Sequence, residues 1–223
     1  MNHNQCIIIF TKAPIKGHVK TRLANDMDEA DVVNLYKHFV LDILYKIKST
    51  GLPYKIFYDP PGTEALIADW LGADNEFVLQ KGRDLGERME NAFMEMFSKK
   101  ITRAVIIGTD SPDLPKAYIM DAFSGLEKNN AVIGPAVDGG YYLIGFNKDS
   151  FLPEVFVNKP WGTDAVFEQT MAILDDRNLS VHVLPKWRDV DTIDDLRHLI
   201  QSLKKNPAGA RDTYLFLTNR MAL

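Results

Sequence analysis

The sequence predicts an α/β fold built on a mainly parallel sheet with helices on both faces. Two observations carry this. Short β-branched runs such as Cys6–Phe10, Ala104–Ile107 and Ala131–Pro135 are apolar throughout, as strands buried on both faces are. Between them stand longer stretches with an apolar stripe at helical spacing, and strands alternating with helices imply parallel crossovers. The chain has 223 residues, 46% hydrophobic, enough for one sizeable core, so residues 1–223 are expected to form a single domain. Its pattern is strong over about 6–203, with 204–223 as a C-terminal extension.

In order, Cys6–Phe10 is the first strand. Asp28 is placed to cap a helix carrying Val32, Tyr36, Phe39, Val40, Ile43 and Ile47 on one stripe, ended by Gly51. Lys55–Tyr58 is a second strand, Thr63–Leu71 a short helix, and Glu76–Gln80 a third strand. Asp84 with Glu87 fits a capping box before a helix whose Leu85, Met89, Phe93, Met96 and Phe97 read as core. A helix over about 116–126 follows the Ala104–Ile107 strand. Tyr141–Phe146 follows Ala131–Pro135 through the turn signal Asp138-Gly139-Gly140. Pro160–Asp164 precedes a helix with Val166, Phe167, Thr170, Ile173 and Leu174. Val181–Leu184 is a late strand, Asp191 or Thr192 caps the helix after it, and a short helix closes the chain.

Composition narrows function. A net charge of −4 argues against general nucleic-acid or membrane-surface binding. The single cysteine excludes an internal disulfide and a cysteine-rich zinc site, and suits a reducing cytoplasm. Met1–Phe10 lacks the basic segment and long apolar core of a signal peptide. No apolar run is long enough to span a bilayer. The five histidines are scattered.

The chemistry gathers where buried strands end, the edge at which open α/β sheets bind ligands. Gly108-Thr109-Asp110-Ser111-Pro112-Asp113 releases two carboxylates at once; such a pair holds a divalent metal, does acid–base work or caps the next helix. After the first strand, Thr11–Leu23 carries Lys12, Lys16, Lys20 and Arg22, suited to a diphosphate or simply solvated. It lacks the P-loop glycine spacing. A second charged loop holds Arg83, facing an anion or solvent. Asp138-Gly139-Gly140 permits close backbone approach, and Asp189/Asp191 add carboxylates late in the chain. Cations and acids on one edge suggest an anionic ligand with a divalent metal. An oxygen-only ligand set without clustered His or Cys points to Mg²⁺ or Mn²⁺.

These motifs, in this order, resemble the nucleotide-diphospho-sugar transferase superfamily, and most nearly its arsenosugar-biosynthesis-type glycosyltransferases. The residues that carry the resemblance are Thr11–Leu23, Gly108–Leu114, Gly134–Gly145, Trp161-Gly162-Thr163 and Asp189–Thr192. It implies a three-layer α/β/α Rossmann-like glycosyltransferase-A fold, with a nucleotide over the first half of the sheet and an acceptor over the second. By position, Lys12, Lys20 and Arg22 would contact the nucleotide or its diphosphate, joined on charge by Lys16 and Arg83. Asp110 and Asp191 would hold the metal. Asp138, Gly139, Gly140 and Trp161 would lie near donor sugar or acceptor. The usual acidic motif is Asp-x-Asp; here Asp-Ser-Pro-Asp leaves Asp113 a sugar contact or helix cap.

The implied activity is metal-dependent transfer of a glycosyl group from a nucleoside diphosphate sugar to a small acceptor, with Asp138 or Asp164 as general base. Guanylyltransferase-like nucleotidyl transfer to a phosphorylated small molecule is the alternative, and a non-catalytic nucleotide-binding module a third. Donor base, sugar, acceptor and oligomeric state are open at this level.

Overall fold

Alternation along the first strand sets the layers. In β1 (Gln5–Lys12), Ile7 and Ile9 point into one buried cluster and Cys6 and Ile8 into the other. The computed structural model describes residues 4–221. β2 (Tyr54–Asp59), β3 (Phe77–Leu79) and β4 (Arg103–Ile107) follow, with β5 (Ala131–Pro135), β6 (Tyr141–Asn147) and β7 (Val181–Val183) later. The sheet runs β3-β2-β1-β4-β6-β5-β7. β6 alone is antiparallel, inserted between β4 and β5, which makes the sheet mixed.

One face is covered by α1 (Glu29–Thr50), α2 (Glu64–Leu71) and α4 (Lys116–Gly125). The other is covered by α3 (Leu85–Ser98) and α5 (Val166–Asp176). All six stripe residues expected in α1 are buried. Asp28 caps it by accepting from the Ala30 and Asp31 N–H groups, and Gly51 ends it. Asp84 caps α3 through the Glu87 N–H, but Glu87 turns its carboxylate to Arg83 instead of completing a box. The complete capping box stands at α6 (Ile193–Lys205), between Thr192 and Asp195.

The C-terminal helix α7 (Arg211–Met221) is tied to α1 by buried Asp42, which accepts from the Asp212 and Thr213 N–H groups at 3.0 and 2.8 Å. A third apolar cluster, with Phe39, Val190, Leu199 and Leu217, joins α1, α6 and α7. Among the described residues no helix is long and apolar enough to cross a membrane.

Since β6 is the sole reversed strand, the segments after β1, β3, β4, β5 and β7 all emerge at one edge. The five sequence segments singled out above therefore share that edge.

Candidate active site

Tyr36 fastens the centre of this edge. Its phenol lies 2.9 Å from the Thr11 hydroxyl, accepts the Lys12 N–H at 2.9 Å and reaches Thr109 at 3.4 Å. The ends of β1 and β4 are thus held together. Burial, and then the negative charge of Asp110, push the phenol above its usual range.

Lys20 sits in front of this anchor. It adopts a left-handed conformation, φ +48°, which is uncommon outside glycine and asparagine-like residues. Its side chain is only 3% exposed, and its ammonium lies 2.8 Å from Asp191 Oδ1 and in contact with Asp110 Oδ1. The ring of Phe39 lies 6.0 Å away. Burial alone would lower the Lys20 pKa; Asp110 and Asp191 overcome this and raise it above the usual range. Burial works against ionisation of Asp191, yet attraction to Lys20 outweighs it and holds its carboxyl below the usual value. The Val190 N–H donates to the Asp110 carbonyl at 2.9 Å, joining the segment after β7 to that after β4.

Asp189 faces the same region. Its carboxylate accepts from the Ser111 hydroxyl. Burial first, then the charge of Asp110, push it up to about 7. Asp113 turns elsewhere: its Oδ1 accepts the Trp187 indole N–H at 3.0 Å. The helix-cap expectation for Asp113 is corrected, since α4 has Pro115 at its N-cap and no side-chain cap. Lys46, unremarked in the sequence, reaches the Pro112 carbonyl from α1. A signal existed: Lys46 stands three residues past Ile43 on the buried stripe.

Lys12, Lys16 and Arg22, on the same segment after β1 as Lys20, are exposed. Among the described residues none of the three enters an ion pair. Arg83 lies beyond β2, 90% exposed and paired with Glu87.

On the second half of the edge, Asp138 accepts the Gly140 N–H at 3.0 Å and is exposed. Gly139 has φ +90°, and a Cβ there would meet the Asp164 backbone at 2.2 Å. Phe167 donates its N–H to the Gly139 carbonyl. This close approach brings the loops of Asp138 and Asp164 together. Trp161 packs on α3, where a Cβ at Gly86 would lie 2.9 Å from its ring, and edge-on to Tyr141.

The metal expectation can be tested on this geometry. Among the described residues no group of three or more His, Cys, Asp or Glu side chains is placed to hold an ion. Two carboxylate oxygens from separate loops do converge on one cation, the Lys20 ammonium. Mg²⁺ is commonly held by one or two carboxylates with substrate phosphates completing the shell; Asp110 and Asp191 would be those carboxylates if a metal took the place of the Lys20 ammonium.

A mainly parallel sheet thus gathers cations and carboxylates along one edge, the place where open α/β sheets bind ligands. Residues 45–163 match the family described as "Uncharacterized protein conserved in bacteria (DUF2064)", and the chain belongs to that family. It is similar to the crystal structure of a "putative nucleotide-diphospho-sugar transferase" from Desulfovibrio desulfuricans G20, at 39% identity. That match covers 98% of this chain and 96% of the other, with a TM-score of 0.94. The fold is shared at lower identity by a CMP:2-keto-3-deoxy-manno-octonic acid synthetase complexed with CTP, 9% identical over 91% of this chain and 99% of the other, TM-score 0.56. It is shared too by the 4-diphosphocytidyl-2C-methyl-D-erythritol synthase of Anaerococcus prevotii, 14% identical over 90% and 96%, TM-score 0.59. No curated protein sequence matches the chain.

Proposed function

We propose that the protein is a metal-dependent glycosyltransferase that moves a sugar from a nucleoside diphosphate sugar to a small acceptor. One observation carries this reading: Asp110 and Asp191 converge on a single cation position, held here by the Lys20 ammonium, whose loop also carries Lys12, Lys16 and Arg22, exposed and, among the described residues, without an ion-pair partner. Bound there with the donor phosphates, Mg²⁺ or Mn²⁺ would supply positive charge to the departing diphosphate. Lys12, Lys16 and Arg22 add charge-assisted hydrogen bonds to the same oxygens, strongest as the leaving group gains charge. The bond from anomeric carbon to diphosphate oxygen breaks, and the acceptor oxygen takes its place. The acceptor hydroxyl proton passes to a carboxylate, Asp138 or Asp164, both exposed at the second half of the edge. Trp161, Gly139 and Gly140 shape that half.

The test is titration of a nucleoside diphosphate into wild type and Asp110→Ala, each with and without Mn²⁺. Mn²⁺ should strengthen binding to wild type and have little effect on the variant. Equal responses would remove the metal role. A Lys12→Gln/Lys16→Gln variant should lose diphosphate affinity more than nucleoside affinity.

Nucleotidyl transfer is the second reading, favoured by the fold shared with the CTP-complexed synthetase and the 4-diphosphocytidyl-2C-methyl-D-erythritol synthase. The two readings break different bonds. Release of pyrophosphate from nucleoside triphosphates in the presence of phosphorylated acceptors would replace glycosyl transfer with nucleotidyl transfer.

A further inference from the structure

The segment after β7 has two sides. Asp189 and Asp191 face Ser111 and Lys20, whereas the side chains between and before them, Arg188 and Val190, line a separate pocket of about 260 Å³. One stretch of main chain is thus a wall between the carboxylate cluster and this pocket. The opposite wall is one face of α6, with Asp195, His198, Leu199 and Ser202 at helical spacing.

The polar groups of the pocket are unevenly committed. Asp195 spends one oxygen on Arg188, at 2.9 Å, and the other on the α6 capping box. Asp113 has one oxygen on the Trp187 indole. Among the described residues, the side chains of Lys186, His198 and Ser202 have no hydrogen-bond or ion-pair partner, and Arg188 keeps N–H groups beyond the one facing Asp195. The free groups are therefore mainly donors, with Lys186 and Arg188 cationic. Trp187 supplies a fixed aromatic wall, held edge-on by Tyr118 with ring centroids 5.4 Å apart.

We propose that this pocket is a second binding site for a small polyhydroxylated phosphate ester of the sugar-phosphate class, separate from the nucleotide cleft. The phosphate is received by Lys186, His198 and the free face of Arg188. Hydroxyls reach Ser202 and the second oxygen of Asp113, and the sugar ring lies along Trp187. An aromatic wall with a few convergent polar groups is the usual make-up of small-molecule sites. The site does not depend on which group the enzyme transfers.

Calorimetric titration with glucose 6-phosphate, glucose and inorganic phosphate separately tests this. Glucose 6-phosphate should bind wild type more tightly than either fragment. Lys186→Gln/His198→Gln, both at exposed positions, should weaken it by about tenfold or more, the loss of roughly one charge-assisted contact. Lys12→Gln/Lys16→Gln, and saturation with a nucleoside diphosphate and Mn²⁺, should leave it unchanged. The proposal is overturned if glucose 6-phosphate does not bind, if inorganic phosphate binds as well, if the Lys186/His198 variant binds like wild type, or if the nucleotide displaces it. Unchanged thermal unfolding of the variant separates lost contacts from lost fold.

Discussion

The Lys20 ammonium lies 2.8 Å from Asp191 Oδ1 and bridges it to Asp110, so the two carboxylates carry an internal counter-cation. Removing it leaves two like charges facing each other. Lys20→Met should cost roughly 2 kcal/mol, below the range for a fully buried pair because the carboxylates are 47% and 37% exposed. Mn²⁺ should recover much of that loss by taking the ammonium's place. Thermal unfolding with and without Mn²⁺ reads both: the shift should be larger in Lys20→Met than in wild type. Equal shifts would show that the cation position is not shared.

Lys46 provides a pH signature. Burial pulls its ammonium down to about 8, against weaker support from Asp42 and Asp113. Because the folded pKa lies below the unfolded value, the folded state binds fewer protons between about pH 8 and 10.5. Stability then rises with pH across that window. Relative to Lys46→Met, wild type should gain on the order of 3 kcal/mol from pH 8 to 10.5. Urea unfolding at several pH values measures the difference, and a flat difference would place the ammonium in solvent.

Gly139→Ala should be among the most damaging small substitutions. It sets a Cβ 2.2 Å from the Asp164 backbone and imposes φ +90° on alanine. Overpacking and left-handed strain together predict a loss of about 3 kcal/mol. Gly17→Ala has a similar φ but open space around it, so only the strain applies and the loss should be about 1 kcal/mol. Comparing denaturant midpoints of the two isolates the contact between the loops.

Asp42→Ala should unfasten the C-terminal helix. The carboxylate accepts two N–H groups at the start of α7, and losing such a cap costs about 1–2 kcal/mol. Hydrogen exchange should accelerate at Asp212 and Thr213 while the β1 amides stay protected. Uniform acceleration would mean that α7 unfolds only with the rest of the chain.

The strand and helix order was legible because each element carries its own period. Ile7 and Ile9 alternate with Cys6 and Ile8, and Val32–Ile47 repeats at 3.6. That the cationic and acidic segments gather on one sheet edge was legible too, since each follows a strand of the same direction. Side-chain partners were not. Nothing near Arg83 in the sequence separates an anion-facing guanidinium from one paired to Glu87. The role of Asp42 was hidden because its partners lie 170 and 171 residues away.

By itself, then, the sequence determined the α/β class, the layers and the edge where the charged segments gather, all consequences of local hydrophobic period and chain order. Only the tertiary structure decided how the charges pair. Insertion of antiparallel β6 between β4 and β5 sets where the segment after β7 returns, and that return brings Asp191 onto Lys20 across 171 residues. The same packing sends Asp113, three residues from Asp110, to the Trp187 indole instead. Those directions depend on contacts between distant segments, which no local pattern encodes.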